Sequence, residues 1–276
     1  MMPETEAIDS NPTAIRLSQP RQSCKILPAY MTNSLRRERE IVEGRSMATE
    51  RRLERIFAYV AAQHRREAAK DEWDPVYTAD YRWEHTQRVA HYGDLIARED
   101  GFDRELCVAG CLLHDIAYFH SAKVQDWKDH GRIGARISRS VLLDAGFSEK
   151  ETDIVCHAIA VHVDGKTDTP HPHTSVADVV SDADNVDRFC AYRVILRCAD
   201  DLGDFQDMTA PLPKRVDQLR GYREKNPLET RTGRKLFAGK LDLQIAFYES
   251  LMQDAAMTQP PLLEPRQEQA RTVPLE

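Results

Sequence analysis

The stretch Leu106-Cys-Val-Ala-Gly-Cys-Leu-Leu-His-Asp115 decides how the chain is read. Leu106–Leu113 holds no charge and no strongly polar group, the composition of a helix turned wholly into a core. His114 and Asp115 follow with no polar interval. A buried carboxylate without a partner costs several kcal/mol, roughly, or takes up a proton. A cation is the simplest solution, and imidazole beside carboxylate is a pair of ligands for a divalent metal.

Upstream of this stretch, Gly101 stops one helix and Asp103 is placed to cap the next. The spacing predicts a helix from about Tyr81 to Ala97, with His85, Val89, Tyr92 and Ile96 along its apolar face. Further back, Leu53, Ile56, Phe57, Val60 and Ala61 recur at helical spacing. Downstream, Ile116–Lys128 reads as an irregular segment over the site. A helix then carries His130, Ile133, Ile137 and Val141 on one stripe and ends at Gly146. Ser148-x-x-Glu151 is a capping box opening a helix with Ile154, Val155, Ala158, Ile159 and His162. Thr167–Thr174 is a Pro/His loop, within which His171 and His173 read as surface residues. Ser175 opens a helix that sets Val176, Val180 and Asp184 on one stripe.

No strand-like alternation and no internal repeat appears, so the fold class is all-α. Residues 47–257 form the helical unit, residues 1–46 a disordered extension and residues 258–276 a flexible tail. Four prolines in the first 28 residues, with no periodicity, support the first boundary; Met47 marks a possible start of the folded unit.

His85, His114, Asp115, His130, His162 and Asp184 thus lie on apolar stripes or at buried helix ends, spread over five helices. Packed helices bring such faces to one place. Gathered imidazoles and carboxylates carry a desolvation cost that a metal resolves.

Composition narrows the alternatives. The formal net charge is −7, against a dedicated nucleic-acid binder. Six cysteines include no C-x-x-C, against a thiolate zinc site or a disulfide framework. No signal peptide or membrane-spanning run stands out, and the expected location is cytoplasmic.

Three motifs, His85-x-x-Arg88-Val89, Leu112-Leu-His-Asp-Ile116 and Ser181-Asp-Ala-Asp-Asn-Val-Asp-Arg188, together resemble the H…HD…D signature of the HD-domain superfamily over roughly residues 75–200. The resemblance implies an all-α HD-domain helical bundle with His85, His114, Asp115 and Asp184 as metal ligands. It also implies hydrolysis of a phosphoester or phosphoanhydride. Residues 182–187 are similar to the Asp-Ala-Asp-x-Leu-Asp stretch of small bacterial nucleotide-cleaving HD hydrolases. Some branches hold a second metal through two intervening histidines, and His130 and His162 occupy comparable stretches. Val163-Asp-Gly after His162 departs from the His-His-Glu pattern of cyclic-di-nucleotide phosphodiesterases.

Nitrogen and oxygen ligands without thiolate suit Mn, Fe, Co, Ni or Mg better than a closed zinc site. His130 and His162 read as catalytic acid/base groups, as phosphate contacts, as a second-metal pair or as core residues. Arg88, Lys123 and Arg188 are candidate substrate clamps, with Tyr118, Phe119, Trp127 and Tyr192 as candidate pocket walls. Residues 214–240 are locally basic and read as a solvated face, as the edge of a phosphate site or as a surface for an acidic partner. The expected function is metal-dependent hydrolysis of a small phosphorylated metabolite, a nucleotide first among them. The alternatives are an HD-type di-iron oxygenase and a non-catalytic nucleotide-sensing scaffold.

Overall fold

The computed structural model describes residues 50–70, 77–120, 127–199 and 205–258. The expected extension 1–46, the tail beyond residue 258 and Lys123 lie outside the described residues, as does the side chain of Trp127.

Every described element is helical: α1 (50–68), α2 (Ala79–Asp100), α3 (Arg104–Leu113), α4 (His130–Ala145), α5 (Glu149–Val161), α6 (Ser175–Arg188), α7 (Ala191–Ala199), α8 (Phe205–Thr209), α9 (Leu212–Glu224) and α10 (Arg231–Met257). The boundaries follow local chemistry. Thr78 accepts from the Tyr81 amide and starts α2 earlier than the apolar pattern alone suggests. Gly101, at φ 78°, ends α2 in the left-handed region that glycine enters without strain. Asp103 caps α3 through the Leu106 amide, and the Ser148/Glu151 capping box is present in both directions. The Ile116–Lys128 segment is partly ordered into 3-10 turns, Ile116–Phe119 and Trp127–Asp129.

Helix α3 packs against α2, α5 and α6. Its residues Cys107, Ala109, Cys111 and Leu113 are fully buried in a core shared with Ile56, Val60, Val89, Ile96, Leu142, Ile159 and Val180. Phe57 departs from expectation: it is 43% exposed, its ring beside Trp83. Phe119, read as a pocket wall, is instead buried in this core. Cys107 and Cys111 are free and buried; burial pushes the Cys107 thiol up to about 12, an inert, structural state. A second apolar cluster joins Val186 of α6 to Val194 of α7, Leu219 of α9, and Phe237, Leu241 and Tyr248 of α10. No helix among the described residues is long and apolar enough to cross a membrane.

Candidate metal centre

Because α3 ends at Leu113, its last turn delivers His114 and Asp115 to the point where α2, α5 and α6 meet. His85 of α2 and Asp184 of α6 face the same point. Asp184 Oδ1 lies 3.2 Å from His85 Nε2 and 4.0 Å from His114 Nε2. His85 Nε2 is 3.3 Å from His114 Nε2, and Asp115 Oδ2 is 3.6 and 3.7 Å from those two nitrogens. Donor atoms about 2.0–2.2 Å from one ion sit roughly 3.0–3.6 Å apart when adjacent; those of His85, His114 and Asp115 gather within 4.8 Å of one another, a group able to share a cation, and Asp184 stands beside the two histidines. All four residues are buried.

The hydrogen bonds behind the imidazoles fix which nitrogen faces inward. His114 Nδ1 donates to the Cys111 carbonyl at 2.8 Å and His162 Nδ1 to the Ile159 carbonyl at 2.7 Å. His85 Nδ1 donates to Asp187 Oδ2 at 2.7 Å. Each Nε2 therefore turns a lone pair into the site, the form in which a neutral imidazole binds metal. Two such lone pairs 3.3 Å apart, with carboxylates around them, call for a proton or a cation between them.

Electrostatics agree. Burial lowers the His114 imidazole below its ordinary value despite Asp115 and Asp184. Burial, together with neighbouring His114, holds His162 down at about 4. Burial also opposes a charge on His85, but the Asp184 and Asp187 carboxylates outweigh it and lift that group to about 9. Burial would raise the Asp115 carboxyl, yet His114, His130 and Arg82 hold it well below the usual carboxylate range. Without a metal, the cluster draws a proton onto His85 to balance its carboxylates.

A second group shares Asp115. His130 Nε2 lies 3.3 Å from Asp115 Oδ1 and 3.1 Å from His162 Nε2, so the two Asp115 oxygens face different histidine pairs. The close approach of α4 that brings His130 in is possible because of Gly131 and Gly134. A Cβ at Gly131 would stand 2.9 Å from the carbonyl oxygens of both Ile159 and Ala160, and one at Gly134 would stand 3.3 Å from that of His114. These glycines make no phosphate loop; they let two helices touch.

The candidate clamps separate. Arg88 is turned to Asp187, with Nε 2.7 Å from Oδ1 and Nη2 3.2 Å from Oδ2. It thus braces the carboxylate that orients His85. Arg188 lies 4.0 Å from Asp184 Oδ2. It lines a 160 Å³ cavity over the cluster with Tyr77, Arg82, Tyr118, Val163 and Arg193. Arg82, not anticipated from sequence, donates to Asp115 Oδ2 at 3.0 Å, and its guanidinium stacks 4.0 Å over the Tyr118 ring. Asp187, also not anticipated, is fully buried between His85 and Arg88. Their spacing was a usable signal: each stands three residues from a candidate ligand, on the same helical face.

With the fold and cluster described, comparison gives the class. The HD domain family model matches residues 82–188, and this stretch of the chain is an HD domain. Solved structures share the fold. A crystal structure described as a predicted HD superfamily hydrolase, from an uncultured Thermotogales bacterium, aligns at 24% identity with a TM-score of 0.50, covering 72% of this chain and 91% of that one. Bacillus subtilis YpgQ in complex with ADP aligns at 19% identity with a TM-score of 0.52, covering 75% of this chain and 96% of that one. No curated protein matches significantly.

Proposed function

We propose that this chain is a metal-dependent phosphohydrolase that cleaves a phosphoester or phosphoanhydride bond of a small phosphorylated metabolite, most naturally a nucleotide. One observation carries the reading. The buried histidine–aspartate cluster opens into a cavity rimmed by Arg82, Arg188 and Arg193, a donor set suited to an anion.

In this reading His85, His114, Asp115 and Asp184 hold a divalent cation from the Mn, Fe, Co, Ni or Mg group, and Asp115, His130 and His162 are the candidate holders of a second. A bound divalent metal supplies an activated water and neutralises charge developing on phosphorus. The rest is protein chemistry. Asp187 keeps the His85 ring in the tautomer that presents Nε2 inward, and Arg88 keeps Asp187 ionised. Arg82 fixes the Asp115 carboxylate from outside, and Arg188 and Arg193 are placed to bind phosphoryl oxygens. If only one metal is held, His130 and His162 are placed to exchange protons with the leaving group. The ADP bound by YpgQ lends weight to a nucleotide here.

A second reading draws on the Asp115–His130–His162 group: a di-iron oxygenase would need both of those histidines as ligands. A phosphate-release screen over nucleotides and phosphosugars with several divalent metals, run beside Asp115→Ala, tests the first. Metal-dependent phosphate release that the variant abolishes is the expected result. Two irons per chain with an oxygen requirement would favour the oxygenase. Ligand binding without turnover on every substrate would favour a sensing scaffold.

A further inference from the structure

Beside the metal cavity, and adjoining it through shared walls at Tyr77, Arg188 and Arg193, lies a larger polar cavity of 400 Å³. Most of its walls come from the part of the chain beyond residue 188, the end of the HD domain match. Arg193 and Arg197 of α7 and Arg215 of α9 line it with Tyr222 and Tyr248, and no Asp or Glu is among its walls in the described residues. Arg220 and Arg223, on the same helix as Arg215, are ion-paired to Glu249 and Asp242 of α10.

The cavity arginines are held by rings and amides instead. The Arg193 guanidinium lies 5.6 Å from the Tyr77 ring centre and 5.4 Å from that of Tyr81. Arg215 stands 5.5 Å from the Phe189 ring centre, and its Nη1 donates to Gln218 at 2.7 Å. The Nε–H groups of both Arg193 and Arg215 are buried with no hydrogen-bond acceptor. Buried, unpaired guanidinium donors are costly, and like charges facing one cavity add to the cost. A polyanion removes both costs at once.

We propose that Arg193, Arg197 and Arg215 form a second anion site, which takes a further phosphoryl or carboxylate group of the substrate while the scissile phosphate sits at the histidine–aspartate cluster. This rests on the phosphohydrolase reading only for the word substrate; the anion site itself stands on the cavity. Arg193 belongs to both cavities and connects them. The molecules favoured are those with two separated anionic groups, over simple monophosphates.

The test is calorimetric titration of the full chain with inorganic pyrophosphate in chelator, in an Asp184→Ala background that silences the metal centre. The expected result is measurable binding that weakens by about tenfold or more in Arg193→Gln and in Arg197→Gln, a tenfold loss being about 1.4 kcal/mol. Arg220→Gln, which loses only surface ion pairs to Glu249 and Asp217, should bind as the parent does. Circular dichroism checks each variant's fold; Arg197 is exposed, so its variant carries the test should Arg193→Gln misfold. Absent binding in the parent, or equal binding by Arg197→Gln and Arg220→Gln, overturns the proposal. Arginine-dependent binding with no turnover on any substrate would sink the hydrolase reading and leave this site standing. Turnover with arginine-independent binding would do the reverse.

Discussion

Asp182 and Asp184 stand two residues apart on α6, both buried, and their surroundings differ in kind. Asp182 receives hydrogen bonds from the Glu229 amide, from the Thr230 amide at 2.7 Å and from the Thr230 hydroxyl at 2.7 Å. Its needs are met by the turn that begins α10, and it fastens that helix to the HD domain. Asp184 faces imidazole nitrogens whose own protons are committed elsewhere. Burial alone therefore does not mark a ligand. The two carboxylates differ in their partners: N–H and O–H groups of the α10 turn for Asp182, the Nε2 atoms of His85 and His114 for Asp184.

That contrast can be broken or sharpened by substitution. The largest effect is expected at Asp184. Asp184→Ala should lower phosphate release by at least about a thousandfold, since several kcal/mol of charge stabilisation rest on the metal, with metal content falling in parallel and the melting temperature little changed. Full activity in that variant would collapse the distinction. Next comes Asp187→Asn, which keeps the shape but weakens the hold on His85 Nδ1. Metal affinity should fall by about 10- to 100-fold, the usual cost of losing a group that orients a ligand; competition with a chelator measures it. Asp182→Ala should show the opposite pattern. It strands three donors and should cost about 1–3 kcal/mol of stability in denaturant unfolding, with metal content per folded molecule unchanged.

The smallest effect is in pH dependence, where two carboxylates fastening α10 have opposite signs. Burial opposes the charge on Asp100, but hydrogen bonds from Thr232 and Arg231 prevail and lower its pKa from 3.8. Its folded pKa lies below its unfolded one, so its contribution is present above that ordinary value and fades as pH falls through the folded one. For Asp182, burial prevails over the Thr230 and Glu229 hydrogen bonds and raises the pKa. The folded state then takes up a proton before the unfolded chain does, so acidification from neutral through that raised pKa adds stability. Asp100→Asn should flatten the loss of stability in acid, and Asp182→Asn should flatten the gain; melting curves from pH 7 to pH 3 read both.

Much of the fold was legible. The Asp103 cap, the Gly101 stop and the Ser148/Glu151 box act over three or four residues, so local sequence contains all the partners they need. His85 and Asp184 were legible as candidate site residues because each interrupts an apolar stripe. The basic stretch 214–240 was not separable by sequence. Arg215 turns into a cavity while Arg220 and Arg223 pair with α10, and the choice depends on which residues α10 sets opposite them. Arg88 carried the right charge for a phosphate clamp, but a partner 99 positions away claimed it. The two glycines of α4 gave no sign in the sequence of the close approach they allow, Gly131 against the α5 carbonyls and Gly134 against that of His114.

The sequence by itself determined an all-helical chain whose apolar stripes carry imidazoles and carboxylates inward, because helix periodicity and capping are settled within a turn or two of the backbone. Only the tertiary structure decided which carboxylate would be quieted by a neighbouring helix terminus and which left facing histidines. It also decided that three arginines would meet around one cavity with no acid among its described walls. Those outcomes depend on partners brought from distant segments, and their desolvation is fixed only when the helices close on one another.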